Sequence, residues 1–189
     1  MTNKNKEMKT SFVFLADGFE EVEAMTSVDV MRRAGMPVVT VSINEGLEAT
    51  GAHGVTVLAD SLFDDNDYSD AEWLVLPGGM PGALNLAAHE GLCQLLQAHD
   101  RVGAICASPA IVLAPLGILD GRRAVCYPGM EAPVPAVEWG DASVAIDGPV
   151  VTGNGPAAAA AFALAMVGES MGRDAADAVA AGMLLPTSH

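Results

Sequence analysis

Short, almost uninterrupted apolar segments that alternate with helix-like stretches constrain the fold of this chain more than any other feature. Residues 11–16 (SFVFLA), 73–76 (WLVL) and 102–105 (VGAI) lack the alternation of polar and apolar side chains that a half-exposed strand would show. Strands that are apolar throughout are typical of parallel sheets buried on both faces. The order of the segments therefore predicts an α/β fold, with a mostly parallel sheet and helices on both faces.

The remaining pattern predicts the rest of such a domain. Asp17-Gly18-Phe19-Glu20 is a capping pattern that begins a first helix, which runs to about Ala34 and is ended by Gly35. The further predicted elements are strands at 37–43, two short strands within 47–58, a helix at 89–99, a helix from 106 through 115, strands at 124–127, 142–146 and 149–152, an alanine-rich helix after 156, and a last helix at about 173–184. We expect residues 1–9 to be a poorly structured polar tail and residues 10–189 to form a single domain.

The charge of the chain excludes several classes of function. The sequence has 9 Lys and Arg against 24 Asp and Glu, and all three lysines lie within the first nine residues. Beyond them, 6 arginines stand against 23 acids, so a Schiff-base lysine and a P-loop lysine are both missing from the domain. A body this acidic repels nucleic-acid phosphates and anionic lipid, so we expect neither nucleic acid nor membrane as a partner.

Cysteine and histidine usage indicates a reducing compartment and carries no metal signature. The three cysteines are an odd number without metal-type spacing, and the four histidines share no ligand spacing either. The N-terminus is too polar for a signal peptide, and the longest small-apolar run, 157–167, is too short to span a membrane. We therefore expect a cytoplasmic protein that needs no metal or other cofactor.

The segment from Ala104 to Pro109 (AICASP) is the strongest candidate for a catalytic centre. A strand that turns directly into a helix at a nucleophile holds that side chain on a sharp turn at the carboxyl edge of the sheet. A helix N-terminus there would lower the pKa of the Cys106 thiol, and the small side chain of Ala107 leaves room around the sulfur. The alternative is a buried structural cysteine, which is common for this residue type and is the interpretation we favour for Cys93 and Cys126.

Two glycine-rich turns at the same sheet edge could complete a site. Residues 77–82 (PGGMPG) follow a buried strand, and paired glycines can turn backbone N–H groups toward one point, as in an oxyanion hole. A plain tight turn is the alternative interpretation of this segment. Residues 153–156 (GNGP) follow another strand and should flank Cys106, because ligands bind where the strands of α/β sheets end.

Acidic residues open the first helix at Glu20, Glu21 and Glu23. Acids are expected there from the helix dipole alone, and we expect Glu20 and Glu21 to be solvated. Glu23 lies beside the apolar face, where burial would raise the pKa of its carboxyl and let it hydrogen-bond a thiolate or shuttle a proton. At the other end of the helix, Arg32 and Arg33 are expected to cap the C-terminus.

Together these four features resemble the ThiJ/PfpI superfamily, in particular its small single-domain branch, which includes a protein deglycase associated with Parkinsonism. The resemblance rests on four segments, ADGFEEVEAMTSVDVMRRAG (16–35), WLVLPGGMPGALNL (73–86), AICASPAIVLAPLGIL (104–119) and VTGNGPAAAAAFALAMV (151–167). They occur in the right order and cover nearly the whole chain. The combination is specific to the family, although each segment alone is not.

The resemblance implies a flavodoxin-like three-layer sandwich with the nucleophile elbow of class I glutamine amidotransferases. It implies that Cys106 is the nucleophile and that a protonated Glu23 hydrogen-bonds the thiolate. The implied backbone donors and pocket residues are Gly78, Gly79 and Ala107, and Tyr127, Pro128, Asn154 and Pro156. A homodimer formed through the first helix is also implied, with Val22, Val30 and Arg33 near the partner subunit, which would account for the second apolar side of that helix.

Two positions depart from the pattern of the superfamily. Its peptidases and amidotransferases carry histidine directly after the nucleophile, where this chain has Ala107, so a Cys-His peptidase is disfavoured. Members of the human type have a histidine before the proline of the following strand, where this chain has Tyr127-Pro128. Proton transfer would then depend on Glu23, helped by Tyr127 or water.

The sequence thus supports one main function and two alternatives. The first is a cofactor-independent, cysteine-dependent glyoxalase or deglycase that acts on reactive dicarbonyls such as methylglyoxal or on the adducts they form. The second is a redox-sensing or chaperone-like stress protein that uses oxidation of Cys106. The third, a role in thiazole or thiamine metabolism, has no phosphate-binding lysine or metal site to support it.

Overall fold

A seven-stranded sheet forms the centre of the molecule in the computed structural model, which describes residues 8–131 and 136–186. The strands are β1 (Ser11–Leu15), β2 (Val38–Ser42), β3 (Glu48–Thr50), β4 (Thr56–Leu58), β5 (Ser61–Leu62), β6 (Leu74–Leu76), β7 (Val102–Ile105), β8 (Arg123–Ala124), β9 (Glu138–Trp139), β10 (Val144–Asp147) and β11 (Val150–Gly153). The order in the central sheet is β10-β11-β7-β6-β1-β2-β5, and every pair is parallel except β10 with β11. The predicted mostly parallel sheet is confirmed.

Helices cover both faces of this sheet. They are α1 (Glu21–Arg33), α2 (Gly82–Ala88), α3 (Glu90–Ala98), α4 (Ala159–Met171) and α5 (Arg173–Gly182). Alternate side chains of each strand point to opposite faces, so Val13 and Leu15 of β1 pack on the side of α1 and α4, while Phe12 and Phe14 pack on the side of α2 and α3. The result is the predicted flavodoxin-like three-layer sandwich.

The first helix begins later than its capping pattern predicts. Glu20, not Asp17, is the N-cap, and its Oε2 accepts the backbone N–H of Glu23 at 2.7 Å. Asp17 instead accepts hydrogen bonds from the Asn44 side chain and the Thr50 backbone, which tie the loop after β1 to the β3–β4 hairpin. These long-range partners are invisible to a local capping rule.

Val30 and Arg32 of α1 also have other surroundings than the sequence predicted. Val30 is fully buried within its own chain, because α1 packs against α4, so it is not part of a surface for a partner subunit. Val22 is half-exposed. Arg32 does not cap the helix; it donates to the Val38 carbonyl and pairs with Asp60, while Arg33 pairs with Asp29 one turn earlier.

Several short elements were predicted with the wrong extent. The helix after Cys106 is a single π-helical turn over Pro109–Leu113, and Pro115, which has no N–H to donate, lies in the turns beyond it. Helix α2 was missed, the strand at 124–127 is only β8, and the sheet edge is β5, whereas β3 and β4 form a separate hairpin. In the described residues, no helix is long and apolar enough to cross a membrane.

Candidate active site

Cys106 occupies a sharp elbow directly after β7. Its φ of +63° lies in the left-handed region, which non-glycine residues seldom adopt without a functional reason. The elbow is held on both sides, because the Cys106 N–H donates to the Gly153 carbonyl at 2.9 Å and its own carbonyl accepts the Tyr127 N–H at 2.8 Å. The side chain is 8% exposed, so the sulfur is covered but not sealed.

The glycine pair after β6 allows three segments to meet at the elbow. A Cβ on Gly78 would lie 2.6 Å from the Cys106 Cβ, 2.8 Å from Glu23 Oε2 and 3.0 Å from the Ala107 nitrogen. Gly79 has a φ of +91°, and a Cβ there would lie within 2.6 Å of backbone atoms of residues 18–20. Only glycine fits at either position, so this segment is more than the plain turn that was the alternative.

Glu23 lies fully buried against this turn. Its Oε2 accepts the Gly78 N–H at 2.7 Å, so Gly78 orients the carboxyl and is not free to serve the anion hole. Burial raises the pKa of Glu23 from 4.5 to about 7, helped by the charge of Glu20 and opposed by hydrogen bonds from Gly78 and Cys106. Oε1 is buried without a well-aligned hydrogen bond, which leaves it available to the thiol beside it.

The Cys106 thiol and the Glu23 carboxyl form a coupled pair. Burial, and then the Glu23 charge, raise the pKa of Cys106 to about 12, against the lowering expected from a helix N-terminus. The N–H groups of Gly79 and Ala107 act in the opposite direction, because both donate toward the sulfur. Above about pH 7 the pair holds a single proton, which the Glu23 oxygen and the Cys106 sulfur share. When that proton is on Glu23, the carboxyl no longer carries the charge that opposes the thiolate. The Gly79 and Ala107 N–H groups then stabilise the thiolate.

Glu20 and Glu21 are not the solvated acids that the sequence analysis expected. The Glu20 side chain is buried as the N-cap of α1. Glu21 accepts the His53 N–H at 2.6 Å and contacts His53 Nδ1 at 2.8 Å, and these bonds lower the pKa of Glu21 against the effect of burial. Ligating atoms of Glu20, Glu21 and His53 lie within 4.8 Å of one another, and the hydrogen bonds of Glu21 to His53 already account for that proximity.

A shallow depression of about 380 Å³ adjoins the elbow. It is lined by Tyr127, Pro128, Asn154, Gly155, Pro156 and Ala157, and so includes all four residues expected for the pocket wall. Tyr127, which lines the depression, donates its backbone N–H to the Cys106 carbonyl, so the depression lies beside Cys106. The Tyr127 side chain is half-exposed and lies against Gly155.

The other two cysteines differ from Cys106 in their surroundings. Cys93 of α3 is half-buried and its thiol donates to the Ala87 carbonyl. Cys126 is buried, and burial with the nearby Glu131 charge raises the pKa of its thiol to about 12. Neither has the paired carboxyl and backbone donors that surround Cys106, which fits their interpretation as structural residues.

Glu23 should make the stability of the protein depend on pH between about 4.5 and 7. Because its folded pKa is raised, the folded state holds the proton more tightly, and stability is lost as the pH rises through this window. Glu23→Gln keeps an acceptor for Gly78 but does not titrate. We expect the variant to gain a few kcal/mol relative to the parent between pH 5 and about pH 7.5, measured by urea unfolding. Glu48→Gln, at an exposed position, is the control; an equal gain there would refute the assignment.

Comparison with known proteins agrees with this architecture. The model of the DJ-1/PfpI family matches residues 9–169. "Protein DJ-1 homolog B" of Arabidopsis thaliana is 37% identical over 85% of this chain, and this chain spans less than half the length of the Arabidopsis relatives it matches. A protein of Pyrococcus abyssi that is named a deglycase is 34% identical over 76% of this chain and 89% of its own length.

A solved structure gives the same result for the fold. Toxoplasma gondii DJ-1, determined in an oxidized form, superposes with a TM-score of 0.89 at 33% identity, and the match covers 95% of this chain and 100% of the other. The residues that the family model matches include the elbow at Cys106 and the turn at Gly78. The chain belongs to the DJ-1/PfpI family.

Proposed function

We propose that the protein is a cofactor-independent enzyme that converts reactive dicarbonyls, of which methylglyoxal is the simplest, and the adducts they form with amines or thiols. The observation that carries the proposal is the convergence of one thiol, one buried carboxyl and two backbone N–H groups at Cys106. The deglycase name of the Pyrococcus abyssi relative supports the same substrate class.

The first step is addition of the thiolate to the aldehyde carbon. A bond forms between sulfur and that carbon, the carbonyl electron pair moves to oxygen, and the Gly79 and Ala107 N–H groups stabilise the oxyanion. Glu23 gives its proton to this oxygen, which yields a hemithioacetal and leaves the carboxylate. A carboxyl with a pKa of about 7 can serve as an acid in this step and as a base in the next.

The second step moves one proton between adjacent carbons. The Glu23 carboxylate removes the hydrogen from the former aldehyde carbon, which leaves an enediolate with its charge on the former ketone oxygen. That oxygen takes the proton of the neighbouring hydroxyl, and the Glu23 carboxyl returns the first proton to the former ketone carbon. The product is a thioester of the 2-hydroxy acid, an isomer of the hemithioacetal, so no oxidant or reductant is consumed. Water then hydrolyses the thioester, which releases lactate and restores the Cys106 thiol.

The neighbouring residues limit the alternatives. Ala107 replaces the histidine that a Cys-His peptidase would place after its nucleophile, so the Cys-His arrangement of such a peptidase is missing. Tyr127 replaces the imidazole of the human-type members, and the Tyr127 side chain is half-exposed beside the elbow. Proton transfer therefore depends on Glu23.

Lactate formation from methylglyoxal should depend on both groups of the pair. We expect Cys106→Ala to abolish it and Glu23→Gln to lower kcat by at least 100-fold, since the variant keeps the fold but has no base. The measurement is enzymatic detection of lactate with purified protein. Cys93→Ala, which changes a thiol outside the site, is the control and should retain parental turnover. Parental activity in Cys106→Ala would eliminate the proposal.

A redox-sensing role is the second candidate, and the donors around the sulfur favour it. Oxidation of a thiolate by peroxide transfers oxygen to sulfur and releases water or alcohol, and two such steps give a sulfinate. The N–H groups of Gly79 and Ala107 and a protonated Glu23 could bind the sulfinate oxygens. All three cysteines are free thiols, which fits a reducing compartment such as the cytoplasm.

Peroxide titration distinguishes this role from adventitious oxidation. Site-resolved mass spectrometry after mild peroxide should find the sulfinate at Cys106 before Cys93 or Cys126 is modified, because only Cys106 has an acid and two backbone donors beside it. We expect Glu23→Gln to weaken this selectivity. Oxidation of Cys93 or Cys126 ahead of Cys106 would count against the redox role.

We also propose a homodimer formed through α1. Its support in the structure is Val22, a half-exposed apolar residue beside Glu23 on this helix. Sedimentation equilibrium should give twice the chain mass of 19.3 kDa. Val22→Asp should shift the species toward monomer, whereas Leu84→Asp, at a comparably exposed apolar position on α2, should not. A monomeric parent protein, or equal effects of both variants, would refute this interface.

A further inference from the structure

Ser108 links the two loops that meet at the candidate active site. Its side chain is fully buried, and its hydroxyl donates to the Pro77 carbonyl at 2.5 Å. Ser108 lies two residues after Cys106, and Pro77 directly precedes Gly78. The bond therefore joins the elbow after β7 to the glycine turn after β6.

No hydrogen bond between β6 and β7 joins the two loops, because the pairing of these strands ends before either loop begins. Its last matched residues are Leu76 and Ala104. Beyond them, the Cys106 N–H turns to β11 and the Gly78 carbonyl accepts from Glu20, so each loop is bonded to a different neighbour. Apart from the Gly79 N–H that points to the Cys106 sulfur, the Ser108 hydroxyl makes the hydrogen bond that connects one loop directly to the other among the described residues.

The two loops also supply the two backbone donors. Gly79 belongs to the turn after β6 and Ala107 to the elbow after β7, and both N–H groups point toward the Cys106 sulfur. Donors stabilise an anion only when their spacing and direction match it, and small displacements weaken them steeply. The separation of these donors thus depends on how the two loops are held together.

We propose that Ser108 is a positioning residue whose hydroxyl holds the Gly79 and Ala107 N–H groups at the separation that stabilises the Cys106 thiolate. This inference rests on the proposed role of Cys106 as the nucleophile, but not on the identity of the substrate. Loss of the hydroxyl would also leave the Pro77 carbonyl without its donor in a buried place, which favours a shift of the glycine turn.

The electrostatic surroundings of Cys106 make the effect measurable. Among the described residues, Glu23 is the one ionisable group that acts on the thiol, and Glu20 acts on Glu23 in turn. Replacement of Ser108 changes neither carboxyl. A change in the pH dependence of the thiol in a Ser108 variant would therefore come from the backbone donors.

Alkylation of Cys106 by iodoacetamide, followed by site-resolved mass spectrometry across pH, tests the proposal. We expect Ser108→Ala to slow alkylation about five- to tenfold near neutral pH and to move the profile to higher pH, because the thiolate loses part of its stabilisation. Ser108→Thr keeps the hydroxyl and should restore most of the parental profile. Ser108→Cys keeps nearly the volume of the side chain but has a weaker hydrogen-bond donor, so it should shift the profile in the same direction as Ser108→Ala. It replaces Ser108→Ala in the test if that variant does not fold.

A second buried serine serves as a control that distinguishes this positioning role from a general loss of stability. Ser42 is also fully buried, and its hydroxyl donates to the Gly46 carbonyl at 2.6 Å, away from Cys106. We expect Ser42→Ala to lower the unfolding temperature without moving the alkylation profile. An unchanged profile in Ser108→Ala or, if it does not fold, in Ser108→Cys would overturn the proposal, and so would an equal shift in Ser42→Ala. The readout needs no dicarbonyl, so a lack of lactate formation would refute the proposed function and leave this test intact.

Discussion

The meeting of three backbone segments at Gly78 is the constraint on which the rest of the site depends. The thiol of Cys106, the carboxyl of Glu23 and the donors of Gly79 and Ala107 come from β7, α1 and the turn after β6. A single methyl group at Gly78 would collide with two of these segments, so the sequence of this turn determines whether the groups can touch at all. The parallel sheet brings the three segments to one edge, and the absence of a side chain at Gly78 lets them approach one another closely.

The electrostatics of the site depend on burial more than on the helix N-terminus. A π-helical turn of five residues follows Cys106. The N–H groups of Gly79 and Ala107 lower the pKa of the thiol, but desolvation of the sulfur and the nearby Glu23 carboxylate raise it by more. In the proposed mechanism, the reactivity of Cys106 depends instead on whether the shared proton is on Glu23 or on the sulfur. With the proton on Glu23, an opposing charge becomes a hydrogen-bond donor, and the same transfer prepares the acid that the first chemical step requires.

The sequence allowed the sheet and the elbow to be predicted because both leave local signals. Uninterrupted apolar runs identified β1, β6 and β7, and the small residues around Cys106 indicated a strand that turns at a nucleophile. The contacts that correct the sequence analysis are long-range. Glu20 replaced Asp17 as the helix cap because Asp17 bonds the β3–β4 hairpin, and Glu21 became a partner of His53, more than thirty residues away. No periodicity or capping rule contains such pairs.

The groups that would react under the proposed function are separate from the surface that could contact the rest of a substrate. The reacting groups lie in the covered space around the sulfur, whereas the depression of about 380 Å³ lies beside it and is lined by neutral residues such as Tyr127 and Asn154. Methylglyoxal has only two carbonyls and a methyl group, so it would engage the reacting groups and leave the depression largely unused. A larger dicarbonyl adduct could place its reactive carbons at Cys106 and its remaining atoms against Tyr127. Under the proposed function, this open depression favours turnover of adducts of varied size, with selectivity that depends mainly on the carbonyl carbons.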